Sequence, residues 1–288
     1  MKIYRAVTTV SDRSTGNAIL DAFDMLHPAP GASGLHDRND GSGTWDVSAY
    51  FEEKPDVAGL ALIASLNSAP DFTVAPVENV DWVAQVRSEL TPVRAGRFMV
   101  YGSHDRENVP SHLIGLEIEA AQAFGTGHHE TTRGCLKALD GLVKRGTWPR
   151  NVADIGGGTG VLAMAAARVF PCPIIASDID PVATETAREN IRANRLGDRV
   201  TCVTAPGFNH PLLRQSGPYD LILSNILARP LKRLAKDMYG HTAPGGRVVL
   251  SGILARQVRS VESVYRSVGF GRDSIAFDGE WSVLVLAK

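Results

Sequence analysis

The sequence predicts an α/β protein, a doubly wound and mostly parallel sheet preceded by a small α+β unit, and three observations point there. The first is Val152-Ala-Asp-Ile-Gly-Gly-Gly-Thr-Gly160, an apolar strand that runs into a glycine loop and then into an alanine-rich helix, Val161 to Val169. The second is the alternation that follows: another apolar run, Pro173-Ile-Ile-Ala, stops at Ser177-Asp178-Ile179-Asp180-Pro181, and strands and helices alternate from there onward. The third is the first 76 residues, which read strand, helix, strand, helix, strand. A strand, glycine turn, helix and second strand ending in a carboxylate form a nucleotide-binding βαβ unit.

At 288 residues the chain is long enough for two domains, and 44% hydrophobic with 21% charged residues is ordinary for a globular protein. The N-terminus lacks an apolar signal-peptide core, and no apolar run approaches the ~18 residues of a membrane span, so a cytoplasmic location without membrane contact is expected. Cys135, Cys172 and Cys202 form no CxxC pair and read as free thiols. The formal charge of −1 argues against a protein that wraps nucleic acid, and no direct nucleic-acid contact is expected. Residues 1–80 hold five basic and eleven acidic residues, a net of −6, so the rest of the chain carries +5. An acidic N-terminal part suits a basic partner, and equally a solvated acidic surface.

Residues 1–76 are expected to form a ferredoxin-like α+β domain: a strand over Ile3 to Val10, a helix over Ser14 to Leu26, a long loop from His27 to Gly43, a strand over Trp45 to Phe51, a helix over Asp56 to Asn67 and a strand over Phe72 to Pro76. At least one strand of that pattern is missing from this reading. Val57, Leu60, Leu62, Ile63 and Leu66 supply the apolar side of the second helix. Residues 77–110 read as a linker with a helix near Asp81 to Glu89 and a strand over Arg97 to Tyr101, Trp82 reading as a packing anchor ahead of a binding-surface residue. Residues 111–288 then form the large domain. Its helices are expected over Pro181 to Asn194, Pro230 to Met238 and Ala255 to Val268, and its strands over Val200 to Val203, Leu221 to Ser224, Arg247 to Ser251, Ser274 to Phe277 and Ser282 to Leu286. The last two make a hairpin through Asp278-Gly279. A parallel sheet closed by an antiparallel hairpin is the layout of class I methyltransferases.

The glycine spacing is Gly156-x-Gly158-x-Gly160, with Asp154 two residues ahead. A dinucleotide would lay its pyrophosphate on this turn, where a carboxylate repels it. S-adenosylmethionine carries no phosphate there but an amino-acid ammonium, which a carboxylate attracts, so Asp154 favours that cofactor over NAD. Asp178, at the end of the next strand, is placed to accept from ribose hydroxyls. A second anchor, Ala123-Phe-Gly-Thr-Gly-His-His-Glu-Thr-Thr132, precedes a helix, and its glycines and threonines suit a loop over a ligand better than a bare helix cap. His128-His129 lacks the companions of a metal site, and no metal is expected. In the third anchor, Asp220-Leu-Ile-Leu-Ser-Asn225, a buried strand ends in an amide that either caps the next helix or accepts a hydrogen bond from an attacking amine; the latter is favoured beside the other two.

With those segments in hand the chain resembles the PrmA family, methyltransferases of protein eleven of the large ribosomal subunit. The resemblance rests on residues 123–132, Asp-Ile-Gly-Gly-Gly-Thr-Gly (154–160), Asp-Ile-Asp-Pro (178–181), Asn-Ile-Leu-Ala-Arg-Pro-Leu (225–231) and Leu-Ser-Gly-Ile-Leu (250–254). It implies that Thr132, Gly156, Asp178 and Asn225 contact the cofactor, and that Phe124, Gly125, Thr126 and Gly127 form the loop over the methyl-transfer site. Gly158 and Gly160 join the cofactor set through the glycine loop itself. It further implies that the N-terminal domain recognises the substrate, a ribosomal protein, whose basic character would suit the acidic N-terminal part; a monomer is expected. Two departures are local: His128-His129-Glu130 replaces a common Thr-His-Pro, and Gly157 a common cysteine. The acidic residue that often ends the third strand is missing near Val203-Thr204, which leaves the adenine contact unassigned. The expected reaction is attack by a neutral lysine ε-amine or N-terminal α-amine on the sulfonium methyl, the enzyme mainly positioning the pair, Asn225 and Gly125 to Gly127 orienting the amine. Rival readings are a class I methyltransferase of glutamine, a base or a small amine, and a non-catalytic module; Asn-Ile-Leu-Ala in place of Asn-Pro-Pro-Tyr speaks against the base and glutamine versions.

Overall fold

The computed structural model describes residues 4–30, 32–38, 42–51, 53–76, 92–118 and 129–288, which divide between two compact units. The expected helix near Asp81 to Glu89, Trp82 and the loop Phe124 to Gly127 lie outside the described residues.

The N-terminal unit runs β1 (Tyr4–Val10), α1 (Arg13–Ala22), β2 (Ala32–Asp37), β3 (Trp45–Phe51), α2 (Val57–Leu66) and β4 (Thr73–Pro76). Its strands form an antiparallel sheet in the order β2-β3-β1-β4. Strand β2 occupies the stretch expected to be a loop. Its sequence, Ala-Ser-Gly-Leu-His-Asp, has no apolar alternation, so only pairing with β3 reveals it. Asp12 and Asp56 cap the two helices, accepting from the amides of Thr15 and Ala58 at 2.9 and 3.0 Å. Helix α2 corrects a second expectation: Leu60, Ile63 and Ala64 are buried, whereas Val57, Leu62 and Leu66 face solvent. Five apolar side chains at those spacings span more than one helical face, and only the i, i+3, i+4 stripe meets the sheet.

The second unit begins with β5 (Val93–Ala95), β6 (Phe98–Tyr101) and β7 (Ile114–Glu117), a small sheet in which β5 pairs antiparallel and β7 parallel to β6. The stretch expected to be a linker thus contributes two strands to this unit. Next come α3 (His129–Lys144), β8 (Val152–Ile155), α4 (Val161–Val169), β9 (Ile174–Asp178), α5 (Pro181–Ala193), β10 (Val200–Thr204), α6 (Pro211–Ser216), β11 (Tyr219–Asn225), α7 (Ala228–His241), β12 (Thr242–Leu254), α8 (Val258–Ser267), β13 (Gly271–Asp278) and β14 (Trp281–Ala287). The seven-stranded sheet has the order β10-β9-β8-β11-β12-β14-β13; its first five strands are parallel and β14 is antiparallel to both neighbours. Helices α3, α4 and α5 bury their apolar faces on one side, α6, α7 and α8 on the other, which is the doubly wound arrangement.

Two polar ties fix α3, whose first turn enters the site. Asp140, buried in the middle of α3, accepts from Arg97 Nε at 2.5 Å and pairs with Lys144 at 2.8 Å. Near its start, Arg133 makes a two-pronged bond to Asp278, both distances 2.7 Å, holding α3 against the closing hairpin. All three thiols are free; burial pushes Cys135 up to about 12 and Cys172 and Cys202 to about 11. Among the described residues, no helix is long and apolar enough to cross a membrane, and no three His, Cys, Asp or Glu side chains cluster as a metal site would require.

Candidate active site

The register lines up the carboxyl ends of the central strands: Ile155 opposite Ser177, Asp154 opposite Leu223, and Asn225 opposite Ser251. In doubly wound folds ligands bind at this edge, where the order reverses between β8 and β11.

The glycine loop leaves β8 here. Gly156 and Gly157 both donate to Ser177 O, at 2.8 and 2.9 Å, so the turn is pinned to the end of β9. Gly156 has φ of 74°, and a Cβ there would collide with Ile226 Cγ2. Gly158 has φ of 53° but faces open space, leaving its surface clear for a ligand. Gly160, with φ of 79°, is the residue before α4. Asp154 sits beneath this turn, fully buried, its Oδ2 accepting from Ala163 N in the first turn of α4 at 3.0 Å. Its Oδ1 has no hydrogen-bond partner among the described residues. Burial, with the neighbouring Asp178 charge adding to it, pushes its carboxyl up to about 7 despite the Ala163 amide. The carboxylate has no exposed surface, so its influence on a ligand is exerted through the loop and through its charge.

At the end of β9, Asp178 is half-buried and tied to the same turn: Oδ2 accepts from Gly158 N at 2.9 Å and Oδ1 from Asp180 N at 3.0 Å. Each oxygen keeps a lone pair, enough for two ribose hydroxyls. Beside it Ile179 is 72% exposed, an apolar side chain just past a strand end.

On the other side of the switch point, Asn225 Nδ2 donates to Thr131 Oγ1 and Thr132 Oγ1, at 3.3 and 3.4 Å, joining β11 to the first turn of α3. The helix-cap alternative for Asn225 is not taken up: Leu227 precedes α7, and no side chain caps that end. Asn225 Oδ1 therefore accepts from no described residue. Ile226 links the two sides. Its side chain seals Gly156, and its carbonyl lies where a Cβ on Gly252 would stand; Gly252 has φ of 77°.

Of the residues expected from the sequence, Thr132 and Asn225 meet directly, Gly156, Gly158, Gly160, Asp154 and Asp178 share one turn, and Phe124, Gly125, Thr126 and Gly127 lie outside the described residues. Sequence reasoning placed Thr131 only among the threonines of the second anchor, and assigned no role to Ile179, Ile226 or Gly252. Gly252 and Ile226 each sit inside a recognisable motif, but their contact joins two strands and shows only in the fold.

A family model described as ribosomal protein L11 methyltransferase (PrmA) matches residues 10–288. The chain belongs to the PrmA family. Among relatives in the PrmA family, the ribosomal protein L11 methyltransferase of Rhodopseudomonas palustris (strain BisB5) is 45% identical across 99% of this chain and 97% of its own length. That of Sinorhizobium fredii (strain NBRC 101917 / NGR234) is 40% identical across the whole of both chains. The crystal structure of ribosomal protein L11 methylase from Lactobacillus delbrueckii subsp. bulgaricus superposes with a TM-score of 0.60 at 24% identity, covering 69% of this chain and 98% of that one, a likeness of fold. PrmA membership implies S-adenosylmethionine, and the site fits it: Asp154 Oδ1 is an unsatisfied buried acceptor, Asp178 retains acceptor capacity, and Gly158 leaves its surface open.

Proposed function

We propose that this protein transfers methyl groups from S-adenosylmethionine to lysine ε-amines, N-terminal α-amines or both, on ribosomal protein L11, as a cytoplasmic monomer. The observation that carries the reading is the Asn225 acceptor, unpartnered among the described residues and held by two threonines beside a glycine loop flanked by Asp154 and Asp178. When bound, the cofactor supplies an electrophilic methyl on sulfur. The chain's own residues do the rest. Asp178 holds the ribose, Asp154 balances the ammonium charge from beneath the turn, and Ile179 offers an apolar face for the adenine that the third strand leaves unassigned. A lysine, with an ordinary pKa of about 10.4, arrives protonated and must lose that proton to attack. Half-buried Ile226 beside Asn225 disfavours the ammonium, and Asn225 Oδ1 accepts an N–H of the neutral amine so that its lone pair faces the methyl carbon. As the amine nitrogen bonds to the methyl carbon, the cofactor's sulfur would keep the electrons of the broken C–S bond, and the surplus proton would leave nitrogen for solvent.

Residues 1–76 are proposed as the substrate-recognition domain. The βαββαβ order on an antiparallel sheet supports the ferredoxin-like reading, and the net charge of −6 over residues 1–80 suits a basic ribosomal protein. The test is methyl transfer with isotopically labelled cofactor onto purified ribosomal proteins, read by mass spectrometry. Label on amines of L11 is expected; label elsewhere, or none, rejects the reading.

A further inference from the structure

Helices α7 and α8 carry a charge pattern unlike the rest of the chain. Residues 228–241 and 255–267 hold seven lysines and arginines against two acids, a net of +5, equal to the whole positive balance beyond residue 80. The two helices pack together: Tyr265 Oη donates to Leu231 O at 3.0 Å, and Lys232 Nζ to Ser260 Oγ at 3.2 Å. Their apolar residues Ala228, Leu231, Ala235, Met238, Val258 and Val261 turn to the sheet. Arg229, Arg233 and Lys236, spaced i, i+4, i+7, and Arg256 and Arg259 are exposed on the outer side.

These cations are not neutralised. Several bases on other helices have acids at hand: Arg188 and Arg192 share Glu185, Lys144 meets Asp140, and Arg133 and Lys137 meet Asp278. Among the described residues, no carboxylate lies within ion-pair distance of Arg229, Lys232, Arg233, Lys236, Arg256 or Arg259. Like charges one helical turn apart repel, so a row of them left uncompensated is maintained at a cost to the fold.

The surroundings select the partner. No large apolar side chain is exposed anywhere on the two helices. A protein interface would want such a centre, whereas a phosphate backbone requires only placed cations. Aromatic rings for stacking bases are also turned away: Tyr265 is fully buried, and Tyr239 is held between Phe270 and Lys288 Nζ. We propose that the outer face of α7 and α8 binds the phosphate backbone of RNA, without reading its sequence. The proposal departs from the expectation of no nucleic-acid contact, which rested on the whole-chain charge, where the acidic N-terminal part masks a basic face in the sum. The proposal stands independently of the methyl-transfer reading.

The test is fluorescence anisotropy of the full-length protein with a labelled mixed-sequence RNA duplex of about 16 base pairs or more. Binding is expected near 50 mM KCl and should weaken roughly a hundredfold or more by about 200 mM, as release of several counterions requires. Arg233→Glu/Lys236→Glu/Arg259→Glu should bind at least tenfold more weakly, while its circular dichroism and its methyl transfer onto free L11 stay at the wild-type level. The milder Arg233→Gln/Lys236→Gln/Arg259→Gln should fall between. No binding at low salt, or equal binding by the variants, overturns the proposal. So does equal affinity for poly-glutamate, which would assign the face to an acidic protein.

Discussion

The two sides of the candidate site are built differently. On the β8–β9 side the polar groups are largely spent on one another: Ser177 O takes two loop amides, Asp178 takes two more, and Asp154 takes Ala163 N. On the β11 side Asn225 spends its amide N–H groups on Thr131 and Thr132, and its oxygen accepts from none of the described residues. A closed, rigid turn suits binding, and an open acceptor suits orienting a second reactant. Changes on the first side should therefore alter cofactor affinity, and changes on the second should alter turnover.

The largest effect is expected where the two sides join. Gly252→Ala places a Cβ against the Ile226 carbonyl at a φ of 77°. A left-handed residue costs about 1–2 kcal/mol and a packed-core clash about 1–3 more. The melting temperature should drop by roughly 10 °C, with affinity and turnover both lost. A variant with wild-type melting would break the link assigned to Ile226.

Next in size is Asn225→Ala. One lost hydrogen bond to the amine is worth roughly tenfold in rate. The fall should appear in kcat under saturating cofactor, with a smaller change in cofactor Kd. The reverse split would move Asn225 to the binding side.

An effect of a different kind, on stability and dependent on pH, distinguishes Asp154. Its folded carboxyl lies near 7 and its unfolded one near 3.8, so between those values the folded state binds more protons and stability falls as pH rises. Asp154→Asn removes that loss. Its melting temperature relative to wild type, without cofactor, should climb from pH 4 to pH 8; a flat difference would contradict the assigned burial. The smallest effect is expected for Gly158→Ala, whose Cβ meets open space and whose penalty is backbone strain of about 1–2 kcal/mol, read by chemical denaturation.

The legibility of the sequence divides along similar lines. The glycine-loop side is local in the chain, and there the expected helix Val161 to Val169 matches the structure residue for residue, while the apolar run from Pro173 to Ala176 falls within two residues of β9 at each end. Charge at Asp154 and Asp178 was readable for the same reason. The other side is assembled from distant segments, so the Asn225–Thr131 contact and the Ile226–Gly252 approach left no mark in any one stretch. Strand β2 was hidden because its order comes from β3, not from its own residues. Strand β12 starts earlier than expected, at Thr242, because β11 pairs with it across a bulge that absorbs Pro244-Gly245-Gly246. The basic face was in the composition from the start, but a sum over the whole chain cancels it.

The most direct test of the account is calorimetric titration of S-adenosylmethionine into wild type and Asp178→Ala. Asp178 is assigned both the ribose and the Gly158 amide, so its loss should weaken binding by tenfold or more while the protein stays folded. Unchanged affinity would contradict the seat proposed at the ends of β8 and β9.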